Sequence, residues 1–429
     1  MIKDSMQYNE FVNKLFPELD GSTVKTFTFQ VTEDCSLRCT YCYQHDKHPN
    51  YMDFNTAKKA IDYLFDNKDR DDFYFSESTT CGLVIEFIGG EPLMNMKVVR
   101  KICDYFEYKL LQYPECPWLL NHRYSFSTNG VAYFNKDVQD FLKDYGSCVS
   151  MSVTIDGCKQ LHDSCRLFPD GSPSYDICIK AALAELEKGN DATKITLSPD
   201  NINFVFDGVE NMLRLGFRSI HMNSQYEEGW TVEDAKALYL QLKKTADFIK
   251  EHNLQNSLYF SLFDTNKYKP ASEESLDQNW CGSVGSMLAV DYRGTIYPCL
   301  RFMPSSLGDS VEPYSLGNLE HGIGGTEDEI KRISDLNTLT RREQSTEECL
   351  NCPIESGCSW CSAYNYQRFG TLRKRATFIC NNHKAGALAS LYFYKITGDK
   401  ENYDKISINR EMALKIITED EWTSLQWEE

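Results

Sequence analysis

The feature that most constrains the fold is a repeated strand-then-helix order between residues 24 and 262. Apolar runs predict the strands, and apolar residues spaced three and four apart predict the helices. The six predicted strand and helix pairs are 24–32 with 54–67, 82–90 with 95–112, 123–130 with 136–145, 148–157 with 174–188, 193–198 with 202–215, and 217–223 with 231–253. Such repeats imply parallel strands joined by right-handed crossovers. We therefore predict an α/β fold, a partial, TIM-like (β/α)6 barrel with ligands at the carboxyl ends of its strands.

The pattern changes after about residue 265, where a polar stretch leads into a turn-rich, cysteine-dense segment. Such a segment builds little core from its own apolar residues, so we expect metal to hold it together. A last apolar helix, at 384–397, is expected to pack back on the body. The predicted organisation is an N-terminal extension at 1–23, the barrel at 24–265, a cysteine-rich domain at 266–383 and a C-terminal helical segment at 384–429.

The charge of the chain narrows the classes of partner. A formal net charge of −18 argues against a nucleic-acid groove, which needs clustered Lys and Arg. No apolar run approaches the length of a membrane span, and the first twenty residues lack the apolar core of a secretory signal. We expect a cytoplasmic protein that binds neither nucleic acid nor membrane.

Disulfide scaffolds are short and secreted, so the seventeen cysteines of this 429-residue chain call for another explanation. Three cysteines lie at 35–42 and seven between 281 and 380. The others have no ligand spacing, and we interpret them as buried structural residues: Cys81, Cys103, Cys116, Cys148, Cys158, Cys165 and Cys178.

Cys35, Cys39 and Cys42 form the pattern C-x3-C-x2-C directly after the first predicted strand. An ordinary [4Fe–4S] electron-transfer site has four cysteines, so three would leave one iron open. The alternative is a tetrahedral zinc site, for which His45 and His48 are the candidate fourth ligands.

This pattern resembles the signature of the radical S-adenosylmethionine (SAM) enzymes. In that family the amino and carboxylate groups of SAM coordinate the fourth iron. One electron from the cluster then cleaves the sulfonium and gives a 5′-deoxyadenosyl radical. The resemblance implies that Cys35, Cys39 and Cys42 hold such a cluster.

Other segments resemble the SAM-binding motifs of the same family. In "GGEPL" the resemblance implies that the backbone of Gly89 and Gly90 and the carboxylate of Glu91 meet the methionine ammonium. Tyr41 matches the aromatic position that contacts adenine. At the later strand ends the resemblance implies polar groups that contact the ribose and an Arg that pairs with the methionine carboxylate. These residues are Ser127, Asn129, Ser152, Asp156 and Arg166. A surface salt bridge is the alternative for Arg166, and we interpret His162 and Asp163 as helix-start polarity.

The C-terminal cysteines resemble the SPASM domain, which carries auxiliary [4Fe–4S] clusters in peptide- and protein-modifying members. By motif order one auxiliary cluster would be held by Cys349, Cys352, Cys358 and Cys380, and the other by Cys281, Cys299 and Cys361. Two residues precede Cys361 where the family has three. No cysteine lies between Cys281 and Cys299, so the three-cysteine cluster would keep an open iron. Zinc knuckles are the alternative for the C-x2-C pairs.

Over nearly its whole length the chain resembles maturases paired with peptides of repeated Cys-x-x-x units. That resemblance implies thioether formation, as in sactipeptides and ranthipeptides, on a ribosomally made Cys-rich precursor, with flavodoxin or ferredoxin as electron donor. Epimerisation and carbon–carbon crosslinking stay open, because those enzymes share the motifs. Formylglycine formation is disfavoured, because that family has Asp after its second SPASM cysteine and this chain has Leu300. An electron carrier would not need Glu91 or Arg166. The sequence singles out no catalytic acid or base.

Overall fold

The computed structural model describes residues 23–44, 47–227, 229–279 and 281–427. The predicted N-terminal extension therefore lies, apart from Thr23, outside the described residues.

Eleven strands are described in these ranges. They are β1 Thr23–Thr32, β2 Thr80–Gly89, β3 His122–Thr128, β4 Val149–Val153, β5 Ala192–Leu197, β6 Ser219–Ser224, β7 Tyr259–Phe260, β8 Met287–Val290, β9 Thr295–Tyr297, β10 Gly317–Asn318 and β11 Gly322–Ile323.

In the same ranges at least one α-helix follows each of the first six strands, and the later, mostly short helices are interspersed with β7 to β11 before a final helical stretch. The α-helices are α1 Phe54–Asn67, α2 Met96–Gln112, α3 Lys136–Tyr145, α4 Lys159–Cys165, α5 Tyr175–Glu187, α6 Val205–Leu215, α7 Val232–Glu251, α8 Glu273–Leu276, α9 Pro304–Leu307, α10 Glu327–Asn337, α11 Arg341–Gln344, α12 Glu347–Leu350, α13 Ser362–Phe369, α14 Cys380–Thr397, α15 Lys400–Tyr403, α16 Arg410–Ala413 and α17 Glu419–Leu425.

The six predicted βα units are confirmed, and their strands are parallel wherever they pair. One sheet has the order β11-β10-β9-β8-β1-β2-β3-β4, and β5, β6 and β7 form a second. Parallel pairing joins β1 to β2, β2 to β3, β3 to β4, and β5 to β6. All these strands direct their carboxyl ends to one edge, as expected for βα units.

The C-terminal part of the chain adds strands to the first sheet. Met287–Val290 pairs in parallel with Thr26–Phe29 of β1, and β9, β10 and β11 continue the sheet antiparallel. The sequence analysis placed the end of the barrel at residue 265, and it predicted neither β7 nor β8. Both strands are short, and neither is followed by a helix of the repeated pattern.

The core is centred on β1. Phe27, Phe29 and Val31 are fully buried on one face, and Thr28 and Gln30 of the other face are buried as well. A strand covered on both faces is typical of a parallel sheet flanked by helices. The aromatic rings of Phe27 and Phe75 meet edge to face, with centroids 5.7 Å apart.

The C-terminal helix packs on the barrel, as the sequence predicted. Helix α14 lies against α7, and the hydroxyl of Tyr392 donates a hydrogen bond of 2.7 Å to Asp247. It begins at Cys380, four residues before the predicted start at 384. Of the helices in the described ranges, none combines the length and the apolar character needed to cross a membrane.

Candidate active site

The C-x3-C-x2-C loop follows β1 directly and is fixed at both ends. The backbone N–H of Cys35 donates to the Asp34 carboxylate over 2.8 Å, and the Thr40 N–H donates to the Cys165 carbonyl over 2.9 Å. Burial raises the pKa of the Cys35 thiol and raises that of Cys39 to about 12. A metal centre bound at these sulfurs would favour their thiolate form.

Two glycines allow the end of β2 to lie against this loop. A Cβ at Gly89 would stand 2.2 Å from the carbonyl oxygen of Thr32, and one at Gly90 would stand 2.2 Å from that of Asp34. The Gly90 N–H instead donates to Thr32 over 3.0 Å. The glycines of the GGE motif thus permit close backbone approach, and what they approach is the cysteine loop.

Glu91 joins the ends of β2 and β3. Its carboxylate is 1% exposed and accepts hydrogen bonds from the Thr128 hydroxyl at 2.6 Å, the Asn129 N–H at 2.8 Å and the Leu93 N–H at 3.1 Å. Burial raises the Glu91 pKa, and these three donors oppose that rise. The Asn129 amide in turn donates to Ser36 in the cysteine loop over 3.0 Å.

A second network connects Tyr41 with Asp156 and Arg166. The Tyr41 hydroxyl donates to the Asp156 carboxylate and accepts from the Arg166 guanidinium over 2.9 Å. Burial lowers the Arg166 pKa, but neighbouring Tyr41, Cys39 and Asp156 outweigh it and raise that pKa, so the guanidinium stays charged. The Nε of Arg166 is buried and has no hydrogen-bond partner among the described residues. Arg166 is thus a charged residue of the cavity wall that keeps one unsatisfied donor.

A cavity of about 390 Å³ lies over the strand ends and brings most of the predicted SAM residues together. Its size suits a ligand of a few hundred daltons. The predicted residues in its wall are Cys35, Cys39, Cys42, Tyr41, Gly89, Gly90, Glu91, Ser127, Asn129 and Arg166. Asp156 is fully buried behind Tyr41, and Ser152 is exposed on β4; neither lines the cavity.

The cavity wall also contains polar residues that the sequence analysis missed. Lys47 donates to the Cys42 sulfur over 3.3 Å. Arg301 pairs with Glu227 over 3.2 Å, and its guanidinium lies 4.5 Å from the centroid of the Tyr43 ring. The other missed residues of the wall include Gln44, Lys194, Thr196 and Tyr226. Single polar residues in loops carry no periodicity, so only their closeness to Cys42 or Cys299 could have drawn attention to Lys47 and Arg301.

His162 differs from its interpretation as helix-start polarity. It lies inside α4 and is fully buried, where Nδ1 accepts from the Asp156 N–H over 3.3 Å and Nε2 lies 3.1 Å from the Ser174 hydroxyl. Asp163 does serve a helix start, because its carboxylate accepts from the Tyr175 N–H at 2.9 Å.

Cys281, Cys299 and Cys361 lie close together. Burial raises the pKa of the Cys299 thiol, and its neighbours Cys281 and Cys361 raise it further. Cys361 is far from the cysteine loop along the chain, but it lines the same 390 Å³ cavity. One member of this group, Cys361, therefore shares a cavity with the cysteine loop, whereas Cys281 and Cys299 are not part of its wall.

The remaining C-terminal cysteines line a different cavity, of about 640 Å³. Its wall contains all four that the motif order groups together: Cys349, Cys352, Cys358 and Cys380. Burial raises the pKa of Cys358 to about 12, and the Arg375 guanidinium opposes that rise.

The thiol arrangement can be compared with the zinc alternatives. Zinc draws its sulfur ligands to about 2.3 Å from one ion. Within the ranges that the structure describes, no three Cys, His, Asp or Glu side chains converge closely enough to bind a single ion. His48 is exposed, and His45 lies outside the described residues. The donor sets, three thiols and four thiols, suit iron–sulfur clusters, whose irons spread the ligands apart. All seventeen cysteines are free thiols.

Comparison with known proteins agrees with the site. The family model of the Radical SAM superfamily matches residues 29–223. An uncharacterized protein of Methanocaldococcus jannaschii is 31% identical over 285 residues, which is 66% of this chain and 86% of the relative. The radical SAM cyclopropyl synthase TigE of Paramaledivibacter caminithermalis is 23% identical over 390 residues, 85% of this chain and 73% of that protein.

A solved structure described as native anSMEcpe with bound AdoMet and Kp18Cys peptide has the same fold. It superposes with a TM-score of 0.61 at 16% identity, over 89% of this chain and 99% of that one. At this identity the likeness concerns the fold, and the chemistry has to be argued from the residues of the site.

Proposed function

Because the chain belongs to the radical SAM superfamily, we propose that it is a peptide maturase that forms thioether bonds from cysteine sulfur to carbon in a ribosomally made, Cys-rich precursor. The observation that carries the proposal is a single cavity whose wall contains Cys35, Cys39 and Cys42 together with Cys361. A substrate thiol beside Cys361 and an acceptor carbon beside the SAM site would then lie in one space.

The donor set fits the cofactors that this proposal requires. Cys35, Cys39 and Cys42 would hold one [4Fe–4S] cluster, with SAM on its fourth iron. Two auxiliary clusters would be held by Cys281, Cys299 and Cys361, and by Cys349, Cys352, Cys358 and Cys380. When bound, the first cluster supplies the electron that cleaves SAM into methionine and the 5′-deoxyadenosyl radical.

The side chains of the cavity would orient the cosubstrate. Arg166, whose Nε has no partner among the described residues, would pair with the methionine carboxylate, and Tyr41 holds the guanidinium in place. Glu91 fixes the strand ends that carry Ser127 and Asn129, so these polar groups would be held at set positions for the ribose.

Thioether formation removes two hydrogens. The acceptor carbon gives a hydrogen atom to the 5′-deoxyadenosyl radical. Formation of the carbon–sulfur bond then releases the thiol proton and one electron, and a cluster held by Cys281, Cys299 and Cys361 would be the acceptor of that electron. With three protein thiols at that site, a fourth sulfur can come from the substrate. Cys361 lines the cavity from which the substrate would approach.

Carbon–carbon bond formation is the second candidate. It is favoured by the cyclopropyl synthase relative, which aligns with 85% of the chain. Epimerisation has no specific observation in its favour. Formylglycine formation is disfavoured by Leu300, which stands at the position where an Asp base is expected.

Mass spectrometry of a Cys-rich precursor peptide, incubated anaerobically with enzyme, SAM and reductant, separates these outcomes. A thioether lowers the mass by two hydrogens and removes one thiol from alkylation by iodoacetamide. A carbon–carbon bond gives the same mass but leaves every thiol free to alkylate. Formylglycine formation removes the sulfur from the cysteine. An epimer has an unchanged mass in ordinary water and gains deuterium when the reaction is run in deuterated water. An unmodified peptide alongside active SAM cleavage would contradict the proposal that the substrate is a Cys-rich peptide.

Iron content tests the number of clusters. Three four-iron clusters require about twelve irons per chain. We expect Cys358→Ala to lower that content by up to four irons and to leave the SAM-dependent cluster in place. About four irons in the unaltered protein would refute the auxiliary pair.

A further inference from the structure

Gln44 and Lys47 form a polar pair beside the last cysteine of the loop. The Lys47 ammonium lies 3.3 Å from the Cys42 sulfur and 3.1 Å from Oε1 of Gln44. An ammonium group can only donate hydrogen bonds, so the amide oxygen of Gln44 must be the atom that faces it. The amide NH2 of Gln44 is therefore directed away from Lys47.

That NH2 group is a donor without an acceptor. Gln44 is 3% exposed and lines the cavity of the cysteine loop, and its Nε2 has no hydrogen-bond partner within the described part of the chain. A buried donor that is left unsatisfied is unfavourable. An occupant of the cavity that supplies an acceptor would satisfy it.

The thiols of the loop differ in the donors that surround them. Cys35 receives neutral donors, the Leu37 N–H at 3.4 Å and the Asn129 amide at 3.7 Å. Cys42 receives a charged donor, because its contact is with Lys47. Hydrogen bonds and positive charge at cluster sulfurs are among the features by which a protein sets a cluster's reduction potential.

We infer that Gln44 and Lys47 together set the reduction potential of the cluster held by Cys35, Cys39 and Cys42. Lys47 donates to the Cys42 sulfur and to the Gln44 amide oxygen, which would leave the Gln44 NH2 to donate to a sulfur of the cluster when the cluster is bound. One-electron reduction makes the cluster more negative, so both donors stabilise the reduced form more than the oxidised form and raise the potential. This role does not depend on which substrate the enzyme modifies.

The competing occupant for the Gln44 amide is a carboxylate, either of SAM or of the substrate. In that case the residue would affect the dissociation constant of the carboxylate ligand and would leave the potential of the cluster unchanged. The two roles therefore differ in a measurement that needs no turnover.

The experiment is a potentiometric titration of the reconstituted full-length protein, followed by electron paramagnetic resonance with titanium(III) citrate as the one-electron donor. The signal that changes when SAM is added identifies the cluster of the C-x3-C-x2-C loop among the others. We expect Lys47→Met and Gln44→Leu each to shift its midpoint to more negative potential. Lys47→Arg keeps the charge and should stay close to the unaltered protein. Lys331→Met removes an exposed charge on α10 and is the matched control.

A midpoint that stays within the scatter of the Lys331→Met control in either variant would overturn the inference, and so would weaker SAM binding with an unchanged midpoint. Iron content is measured for each variant. Where Gln44→Leu fails to assemble its clusters, Gln44→Asn replaces it, because this change withdraws the amide by one carbon and keeps its polarity. The expected shift and the overturning result are the same for that variant.

Discussion

Arg166 donates a hydrogen bond of 2.9 Å to the hydroxyl of Tyr41, a residue inside the C-x3-C-x2-C motif. The same hydroxyl donates to Asp156, whose carboxylate also accepts from the Thr196 N–H of β5 over 2.9 Å. The cysteine loop after β1 is in this way connected to the far side of the cavity. The position of the Arg166 guanidinium and the shape of the cysteine loop therefore depend on each other.

The first prediction concerns Arg166. Replacing it with Lys removes the guanidinium Nε, so the methionine carboxylate loses a charge-assisted hydrogen bond of about 1.5–3 kcal/mol. We expect SAM affinity to fall about tenfold or more, measured by equilibrium binding to the reconstituted protein. Tyr41→Phe keeps the guanidinium and removes one of its contacts, so its effect on affinity should be smaller. Equal affinity in Arg166→Lys and the unaltered protein would contradict the assigned role.

The second prediction concerns Arg301. Arg301→Gln leaves Glu227 without its ion pair and removes the cation from the Tyr43 ring, on the wall between the two groups of cysteines. Leaving such a partly buried group unpaired lowers the free energy of unfolding by about 1–3 kcal/mol. We expect fewer modified peptides per 5′-deoxyadenosine released, because the substrate is held less well while SAM cleavage continues. Chromatography of both products measures this ratio, and a parallel fall of both would point instead to damage at the SAM site.

The third prediction concerns a buried ion triad in the C-terminal part. Glu355, with its side chain 3% exposed, binds Arg341 through two contacts and Arg375 at 2.7 Å. Both guanidinium groups also lie over the ring of Trp360, at 5.0 and 4.2 Å from its centroid. Removing the central charge leaves two buried cations, so we expect Glu355→Gln to cost about 3–5 kcal/mol.

Denaturant unfolding followed by Trp fluorescence measures this loss, and iron analysis shows whether the four-cysteine site still assembles. Glu348→Gln, which changes an exposed carboxylate of the same segment, is the control. Equal midpoints for the two variants would show that the triad does not stabilise this part of the chain.

The fourth prediction concerns acid stability. Burial, with help from nearby Arg166, lowers the pKa of His162 from 6.5 to about 3. Between these two values the unfolded chain binds a proton that the folded chain does not, so the free energy of unfolding falls as the pH falls through this window. The slope from one such group reaches about 1.4 kcal/mol per pH unit.

His162→Gln should flatten this dependence when unfolding is measured across the window. Part of the slope should remain, because burial also lowers the pKa of His383 to about 4. An unchanged slope in the variant would show that His162 is not the group responsible.

Periodicity predicted the βα units well, because the helices carry an apolar face and the strands are either buried on both faces, as in β1, or alternate buried and exposed residues, as in β4. The bounds of β1, α1 and α3 differ from the prediction by no more than one residue at either end. The short strands β7 and β8 were missed, since two to four residues carry too little pattern to be recognised.

The cysteine motifs and the segments that resemble SAM-binding motifs could be recognised in the sequence, because the chemistry they would serve fixes their spacing. The ion triad, the Gln44–Lys47 pair and the Arg301 contact were not, because each joins residues through the tertiary fold. We expected metal to hold the cysteine-rich segment together. That expectation stays a prediction, whereas the structure shows a buried Arg–Glu–Arg arrangement that connects the loops of this segment.

The pairing of Met287–Val290 with β1 has a practical consequence for anyone who engineers this enzyme. A barrel cut after residue 265 would expose the flank of its central strand, Thr26–Phe29, as an open edge prone to aggregation. The cysteine-rich domain is thus not an interchangeable module. A chimera that exchanges this domain between relatives will have to keep Met287–Val290 with the barrel, so the junction has to lie after Val290.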